Sequence, residues 1–196
     1  MRRRSQGAAR PGAGVMALDL TQLVTCTRCR LSETRQRVVV GTGPDDPVVM
    51  IVGEAPGRTE DEGGEPFIGR SGNLFFRLLG EEVGLVRDQC FVTNTVKCRP
   101  PENRVPAPDE LAACRPWLRA QLEHVQPRAV LALGATAARE VLGLREPMGS
   151  IHGRVVTIGG GPALATYHPA AVLRTPSLAQ VVRADLRVLR GIVEPR

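Results

Sequence analysis

Short apolar runs alternate with helix-like segments along this chain. The runs at 48–53 and 129–134 are wholly apolar, and the run at 90–96 is largely so. Runs of this length and character are typical of strands that are buried on both faces of a parallel sheet. Segments with helical periodicity lie between them, at 73–83 and 109–124. The alternation predicts an α/β fold, a single domain whose central, mostly parallel four-stranded sheet is flanked by helices on both faces.

The ends of these strands locate a candidate site. In an open α/β sheet, ligands bind beyond the carboxyl ends of the strands. Glu54, Asn94 and Gly134 lie at or just after the ends of the three runs. His168 ends a further predicted strand, 163–168, which follows a glycine turn and pairs with the segment before that turn. A carboxylate, an amide and an imidazole are therefore predicted to meet at one edge, where they suit a small polar planar ligand or acid–base chemistry.

The charge of the chain favours a polyanionic partner. The formal net charge is +6, and Lys97 is the only lysine, so nearly all of the positive charge is arginine. A GC-rich genome would explain arginine in place of lysine, but it does not explain the excess over acidic residues. Arginine binds phosphate oxygens in pairs. Aromatic residues make up only 3% of the chain, which argues against a broad stacking platform for single strands.

The first 16 residues are predicted to lie outside the folded domain. Residues 1–16 are rich in Gly, Ala and Arg and lack the apolar core of a secretion signal. No apolar run approaches the length of a membrane span. We therefore expect a disordered basic tail at 1–16 and one folded domain at 17–196. We also expect a cytoplasmic, nucleoid-associated monomer with no membrane contact.

Four of the five cysteines form a candidate metal site. Cys26 and Cys29 have the C-x2-C spacing that lets two thiolates reach one centre, and Cys98 and Cys114 supply two more. Four thiolates suit either tetrahedral Zn²⁺ or a [4Fe–4S] cluster, and the spacing does not choose between them. The alternative is a set of unconnected buried thiols. That alternative fits Cys90, which opens a strand and has no partner at ligand spacing.

Several short motifs occur in a fixed order between residues 20 and 190. They are G-E-A-P-G at 53–57, P-F-I-G-R-S-G at 66–72, V-T-N-T-V-K-C-R-P-P-E-N-R at 92–104 and Y-H-P-A-A-V-L-R at 167–174. With the four cysteines, this ordered set resembles the family 4 uracil-DNA glycosylases, the iron–sulfur branch of the uracil-DNA glycosylase superfamily. The resemblance implies the fold of that superfamily and a repair enzyme that hydrolyses the N-glycosidic bond of uracil in DNA and leaves an abasic site. It also implies a [4Fe–4S] cluster held by Cys26, Cys29, Cys98 and Cys114.

The resemblance also assigns roles to residues of the candidate site. Glu54 matches the catalytic acidic residue, and His168 matches the imidazole near uracil O2. Asn94 matches the residue that hydrogen-bonds the uracil edge, and Phe67 matches the aromatic ring that stacks on the base. Glu60 matches a carboxylate at the place where the methyl group of thymine would lie. The remaining substrate-binding positions are Ala55 and Asn103.

Further residues are expected to contact the DNA backbone. Arg70, Ser71 and Gly72 open a predicted helix, and the free amides of a helix N-terminus bind phosphate. Leu173, in a predicted loop from His168 onwards, is the candidate wedge that separates neighbouring base steps. The arginines predicted to contact phosphate are Arg99, Arg104 and Arg174.

Two other functions fit parts of the sequence. A metal-stapled DNA-binding module without activity would explain the charge and the cysteines, but it would leave Glu54, Asn94 and His168 without a role. A zinc-stabilised hydrolase of free nucleotides would need a phosphate-binding loop, and no convincing loop is present. One branch related to the family that this chain resembles carries a basic, histidine-containing loop insertion and captures uracil covalently. The segment 99–113 contains no histidine, so the resemblance implies ordinary turnover here. The expected substrate is uracil-containing DNA, single- or double-stranded.

Overall fold

A computed structural model describes residues 20–194 of the chain. Short 3-10 helices lie at Leu20–Thr25, Arg30–Ser32, Arg87–Gln89 and Pro101–Asn103. The strands are β1 (Val49–Gly53), β2 (Cys90–Asn94), β3 (Ala129–Leu133), β4 (Val155–Ile158) and β5 (Gly161–Thr166). The α-helices are α1 (Arg58–Gly63), α2 (Arg70–Val83), α3 (Pro108–Val125), α4 (Ala135–Leu142), α5 (Met148–Ile151), α6 (Pro169–Arg174) and α7 (Leu178–Val193).

The strands form one twisted sheet in the order β2-β1-β3-β5-β4. Strand β1 pairs in parallel with β2 and β3, and β3 pairs in parallel with β5. Strand β4 runs antiparallel to β5 and closes one edge of the sheet. Because four neighbouring strands point the same way, their carboxyl ends all reach the same edge.

Side chains alternate between two core layers along each buried strand. In β1, Val49 and Ile51 pack into a layer with residues of α2 and α7. Met50 and Val52 point to the opposite layer, which contains residues of α3, α4 and α5. Both faces of β1 are therefore covered, which explains why its sequence is apolar at every position.

Among the described residues, no helix combines the length and the apolar character that a membrane span requires.

The α/β fold with helices on both faces is confirmed, and the structure corrects some details. The sheet has five strands in place of the predicted four, because the β4–β5 pair joins the parallel strands at their edge. The segment after His168 was expected to be a loop, but it forms the short helix α6. The predicted tail at 1–16 and the predicted domain start at residue 17 lie outside the described residues.

A third core cluster joins the first described residues, 20–35, to the rest of the domain, and we call these residues the N-terminal segment. The cluster contains Leu23 and Leu31 from this segment together with Trp117 of α3. Cys98 and Cys114 belong to the same buried cluster, and Cys26 and Cys29 pack against it. The four cysteines therefore lie where the N-terminal segment meets helix α3.

Candidate active site and cysteine cavity

A cavity of about 500 Å³ opens at the carboxyl edge of the sheet. We call it the strand-end pocket. Its volume lies in the range of small-molecule sites. Glu54, Asn94, Gly134 and His168, from four different strand ends, all line it. The remaining lining residues include Ala55, Glu60, Phe67, Ser71, Asn103, Arg104, Val105 and Arg174.

Glu54 is held at both its side chain and its backbone. The hydroxyl of Thr136, near the start of α4, donates to Glu54 Oε2 at 2.5 Å. The Thr95 hydroxyl donates to the backbone carbonyl of Glu54 at 2.6 Å. In the described part of the chain, no donor is bonded to Glu54 Oε1. One carboxylate oxygen is therefore fixed and the other is available to bind a water molecule in the pocket.

His168 has its ring oriented by the backbone of the following helix. It is the N-cap of α6, and its Nδ1 accepts the backbone N–H of Ala170 at 3.2 Å. Burial, with a smaller contribution from Arg174, lowers the pKa of His168 to about 4. The ring is therefore neutral at pH 7. Because Nδ1 is an acceptor, the single ring proton is assigned to Nε2. His168 can offer that N–H to a ligand.

Asn94 carries an unpaired side-chain oxygen in the lining of the strand-end pocket. Its side chain is 1% exposed. Its Oδ1 has no hydrogen-bond partner among the described residues. Because an unpaired buried acceptor costs about 1–3 kcal/mol, this oxygen is satisfied when a ligand supplies an N–H. The arrangement fits a ligand that presents such a donor next to an acceptor, as the edge of uracil does.

Phe67 is held in an unusual backbone conformation beside the pocket. Its φ is 57°, in the left-handed region that non-glycine residues rarely adopt. Arg87 secures the turn by donating to the carbonyl oxygen of Pro66 at 2.5 Å. Gly72 makes the turn possible, because any side chain there would collide with the Phe67 backbone. The Phe67 ring lies 5.9 Å from the His168 ring, centroid to centroid.

Two glycine amides engage the carboxylate of Glu60. Its Oε2 accepts the N–H of Gly57 at 3.1 Å, and its Oε1 accepts the N–H of Gly69 at 2.9 Å. The side chain is buried and still lines the strand-end pocket. Glu60 thus ties the beginning of α1 to the beginning of α2. A bulky group entering here would press against a carboxylate that cannot easily move.

Two of the residues predicted to contact DNA line the strand-end pocket, and the others are their neighbours in the chain. Ser71, in the first turn of α2, and Arg174, at the end of α6, both line the pocket. Arg70 is exposed beside Ser71. Leu173 is 44% exposed although it is apolar. Gly72 is buried against Phe67, and its predicted contact with DNA stays a prediction.

Two of the predicted phosphate contacts are engaged within the protein. Arg104 donates to both oxygens of Glu110, at 2.6 and 2.8 Å. The Arg104 hydrogen bond is the main reason why the pKa of Glu110 falls to about 2. Arg99 donates to Asn103 Oδ1 at 2.8 Å. Arg104 therefore anchors the loop at residues 99–107, which we call the rim loop, to the start of α3. Its contact with phosphate stays a prediction.

All four predicted ligand cysteines line one small cavity. We call it the cysteine cavity. Trp117 donates its indole N–H to Cys26 Sγ at 3.3 Å, and Arg35 donates to Cys98 Sγ at 3.3 Å. Burial raises the pKa of the Cys114 thiol to about 11, so its thiolate needs a nearby positive charge. Between residues 20 and 194, no three or more His, Cys, Asp or Glu side chains are arranged to hold a metal ion.

Lys97 lies between the two cavities. It lines the cysteine cavity and is 1% exposed. Its ammonium donates to Thr93 Oγ1, to the Asn94 carbonyl and to Gln121 Oε1, at 2.6, 2.7 and 2.6 Å. All three acceptors are neutral, and no carboxylate pairs with it in the described part of the chain. Burial lowers the pKa of Lys97 to about 8.

Cys90 lies apart from the cysteine cavity. It is fully buried in the core layer shared by α2 and α7. Burial raises the pKa of its thiol to about 12. It is a small apolar core residue.

Sequence reasoning missed two residues of this region, Thr136 and Lys97. Thr136 lies 82 positions from Glu54 in the chain, and no local motif indicates that they meet. Lys97 did carry one signal, since it is the only lysine in an arginine-rich chain.

The chain is similar to proteins of known family over nearly all of its described length. Residues 40–189 match the family model of the uracil DNA glycosylase superfamily. A type-4 uracil-DNA glycosylase of Thermotoga maritima is 40% identical, over 92% of this chain and 95% of that protein. A type-4 enzyme of Pyrobaculum aerophilum is 42% identical, over 85% and 88%. A type-5 enzyme of the same organism is 35% identical, over 84% and 89%.

Proposed function

Because the chain belongs to the uracil DNA glycosylase superfamily, with type-4 enzymes among its similar relatives, we propose that it removes uracil from DNA. It is a repair glycosylase that hydrolyses the N-glycosidic bond and leaves an abasic site. One observation carries this proposal beyond the family. A buried, unpaired amide oxygen of Asn94 shares one pocket with Glu54 and His168.

The target base leaves the duplex before it reacts. A base within the stack is out of reach, so the enzyme flips the nucleotide into the strand-end pocket. Flipping costs a few kcal/mol and costs least at a mispair such as G·U. Phe67 stacks against the flipped base. Glu60 restricts the space beside it, so that the methyl group of thymine is excluded.

Asn94 selects uracil over cytosine. Its Oδ1 accepts the N3–H of uracil, and its side-chain N–H group donates to O4. Cytosine has no proton at N3 and carries an amino group at position 4, so both contacts would be mismatched. Ala55 and Asn103 complete the lining of the substrate site.

The chemical step breaks the bond between C1′ of the sugar and N1 of uracil. The electron pair of that bond moves to the uracil ring, and positive charge develops on the sugar. The Nε2–H of His168 donates to uracil O2 and stabilises the negative charge of the leaving base. Glu54 Oε1 orients a water molecule towards C1′, and its carboxylate balances the charge of the sugar. The water oxygen bonds to C1′, its proton passes to Glu54 and then to solvent, and the uracil anion is protonated from solvent.

The DNA strand is held at the rim of the pocket. The N-terminal turn of α2, at Arg70 and Ser71, binds a phosphate of the flipped nucleotide. Gly72 has no side chain, so this turn can come close to the phosphate. Leu173 fills the space that the flipped base leaves, and Arg174 contacts a neighbouring phosphate.

A [4Fe–4S] cluster held by Cys26, Cys29, Cys98 and Cys114 is part of this proposal. Three observations support the fit. The four side chains line one cavity, two of their sulfurs already accept N–H hydrogen bonds, and the buried cation of Lys97 lies beside them without an anionic partner. No three of the described His, Cys, Asp or Glu side chains are arranged to hold a metal ion, so the choice of a cluster over zinc comes from the resemblance to the family 4 enzymes. The cluster would supply structural cross-linking between the N-terminal segment and α3, not chemistry on the base.

We also propose the domain bounds, the oligomeric state and the location of the enzyme, from its sequence and its family. The catalytic domain spans residues 17–196, includes the cysteine cavity, and follows a basic tail at 1–16. The enzyme acts as a monomer on DNA in the cytoplasm, in association with the nucleoid.

Release of uracil from a defined duplex tests the function. Protein purified without oxygen is incubated with an oligonucleotide that carries one uracil, and alkali then cuts the abasic site. We expect cleavage by the wild-type protein and a loss of about a hundredfold or more for Glu54→Gln and His168→Ala, with unchanged circular dichroism. Salt-dependent binding without base release would instead favour the DNA-binding module.

A further inference from the structure

The hydroxyl of Thr136 contacts the carboxylate proposed to act on water. Thr136 is the second residue of α4 and is 6% exposed. Its Oγ1 donates to Glu54 Oε2 at 2.5 Å. We propose that Thr136 is a positioning residue for hydrolysis, which holds Glu54 so that Oε1 is the oxygen that binds the attacking water. This inference rests on the proposed function, because it needs Glu54 to be the water-orienting group.

The surrounding structure makes this contact specific. Glu54 follows β1, and the Thr95 hydroxyl fixes its backbone carbonyl, so the side chain starts from a defined point. Strand β3 runs beside β1 and delivers α4 to the same edge. Gly134, with φ 89° at the N-cap of α4, turns the chain sharply there. Thr136 is therefore carried to Glu54 by the sheet, and a threonine hydroxyl has few other positions to take.

The contact also makes the two carboxylate oxygens of Glu54 different, because Oε2 is bonded to Thr136 and only Oε1 is left to bind water. A free carboxylate can rotate and present either oxygen to solvent, and only some rotamers aim at C1′ of the sugar. A hydrogen bond to a charged group is among the stronger polar contacts. Holding a reacting group within a narrow range of positions accelerates a reaction, because small displacements are costly to the rate.

Other charged groups around the pocket do not replace Thr136. Glu60 is occupied by the amides of Gly57 and Gly69, and Arg104 pairs with Glu110. The remaining titratable side chains that line the pocket are His168 and Arg174, and no hydrogen bond joins either of them to Glu54 in the described part of the chain. Thr136 is thus the side chain that fixes the Glu54 carboxylate there.

Substitutions at position 136 separate positioning from packing. Thr136→Val keeps the shape and removes the donor, whereas Thr136→Ser keeps the donor. We expect Thr136→Val to slow single-turnover uracil release by about tenfold to a hundredfold, the range for one hydrogen bond to a charged group. Its affinity for a duplex with a non-hydrolysable 2′-fluoro-deoxyuridine should stay within about twofold of wild type, since no contact to DNA is lost. Thr136→Ser should recover most of the rate.

A double-mutant cycle shows whether Thr136 acts through Glu54. In a Glu54→Ala background, which has no acceptor for the Thr136 hydroxyl, adding Thr136→Val should change the residual rate by less than about threefold. Thr157→Val, on the exposed edge strand β4, is the matched control and should keep the wild-type rate. A wild-type rate for Thr136→Val, or the same loss in both backgrounds, would refute the positioning role while the glycosylase function stands. No uracil release from the wild-type protein would overturn both.

Discussion

The ammonium of Lys97 lies 2.7 Å from the backbone carbonyl oxygen of Asn94, and the same side chain lines the cysteine cavity. One buried cation therefore joins the cysteine cavity to the strand end that carries the Asn94 amide. A fully buried ammonium without an anionic partner is costly. Four thiolates around a [4Fe–4S] cluster would carry more negative charge than its core can balance, so Lys97 and the proposed cluster would stabilise each other.

Lys97→Met should therefore weaken cluster retention. The substitution keeps much of the side-chain length but removes the charge. We expect a clear drop in iron and acid-labile sulfide per protein, and loss of iron to a chelator about tenfold faster than in wild type. Cys90→Ala, which alters a buried cysteine outside the cavity, is the control and should keep its iron. Full retention in Lys97→Met would remove the charge-balancing role.

Asn94→Ala should separate stability from activity. The substitution removes a buried acceptor that lacks a partner in the free protein, so it also removes a desolvation cost of about 1–3 kcal/mol. This gain offsets much of the lost packing. We expect a melting temperature close to that of wild type and a loss of uracil release of about a hundredfold or more. A strong fall in melting temperature would mean that Asn94 holds the fold.

His168 should make stability depend on pH below neutrality. Burial lowers its pKa in the folded protein to about 4, whereas the unfolded value is about 6.5. Between these values the unfolded chain binds more protons, so the free energy of unfolding falls as the pH falls from about 6.5 to about 4. The effect is on the order of 2 kcal/mol. Urea unfolding of the wild type and of His168→Ala is measured at several pH values in this range. The free energy of unfolding should fall less steeply with falling pH in the variant than in the wild type. Parallel slopes would assign the pH dependence to other groups.

Glu110 is fully buried beneath its arginine partners and should stabilise the rim loop strongly. It accepts from Arg104, Arg30 and the amide of Ala107. We expect Glu110→Gln to cost about 2–4 kcal/mol in the free energy of unfolding. Glu62→Gln breaks the exposed pair with Arg58 and should cost less than about 0.5 kcal/mol. Because the pKa of Glu110 is lowered to about 2, its contribution is complete above about pH 4.5 and disappears as the pH falls towards 2. Equal costs for the two variants would contradict the anchoring role.

Leu173→Ala should impair flipping more than chemistry. Leu173 is 44% exposed on α6, next in the chain to Arg174, which lines the pocket. We expect uracil release from a U·A duplex to fall about fivefold to tenfold, with a smaller loss at G·U and little loss on a single strand, where no stack is opened. Val155→Ala, at a similarly exposed apolar residue on β4, should be silent. A uniform loss on all three substrates would argue against a wedge.

Features that depend on local pattern were accessible from the sequence, and features that depend on distant contacts were not. The apolar run at 48–53 predicted β1 because both of its faces are buried. Helix α6 was missed because six residues that begin with proline give too short a periodic pattern. The left-handed turn at Phe67 is imposed by Arg87 and by the nearby backbone of Gly72. Nothing in the local sequence reports it.

The candidate site divides in the same way. The strand-end rule brought Glu54, Asn94 and His168 to one edge without knowledge of the contacts between them. It did not reveal that Glu60 is bonded by two backbone amides, or that Arg104 is already paired with Glu110. Partners of this kind are fixed by three-dimensional packing, so a residue's type and position in the chain do not disclose whether its charge is free.

The close approach of Gly72 to Phe67 has a consequence for how freely the Phe67 ring can move. The first turn of α2 rests directly on the Phe67 backbone, and Gly53 lies so close to the ring that a methyl group there would come within 2.6 Å of it. The Phe67 side of the strand-end pocket is therefore supported by main chain on two sides and cannot swing aside as a free side chain would. Any change in the position of this ring is thus coupled to a movement of α2 or of β1, so the shape of this side of the pocket is a property of the backbone.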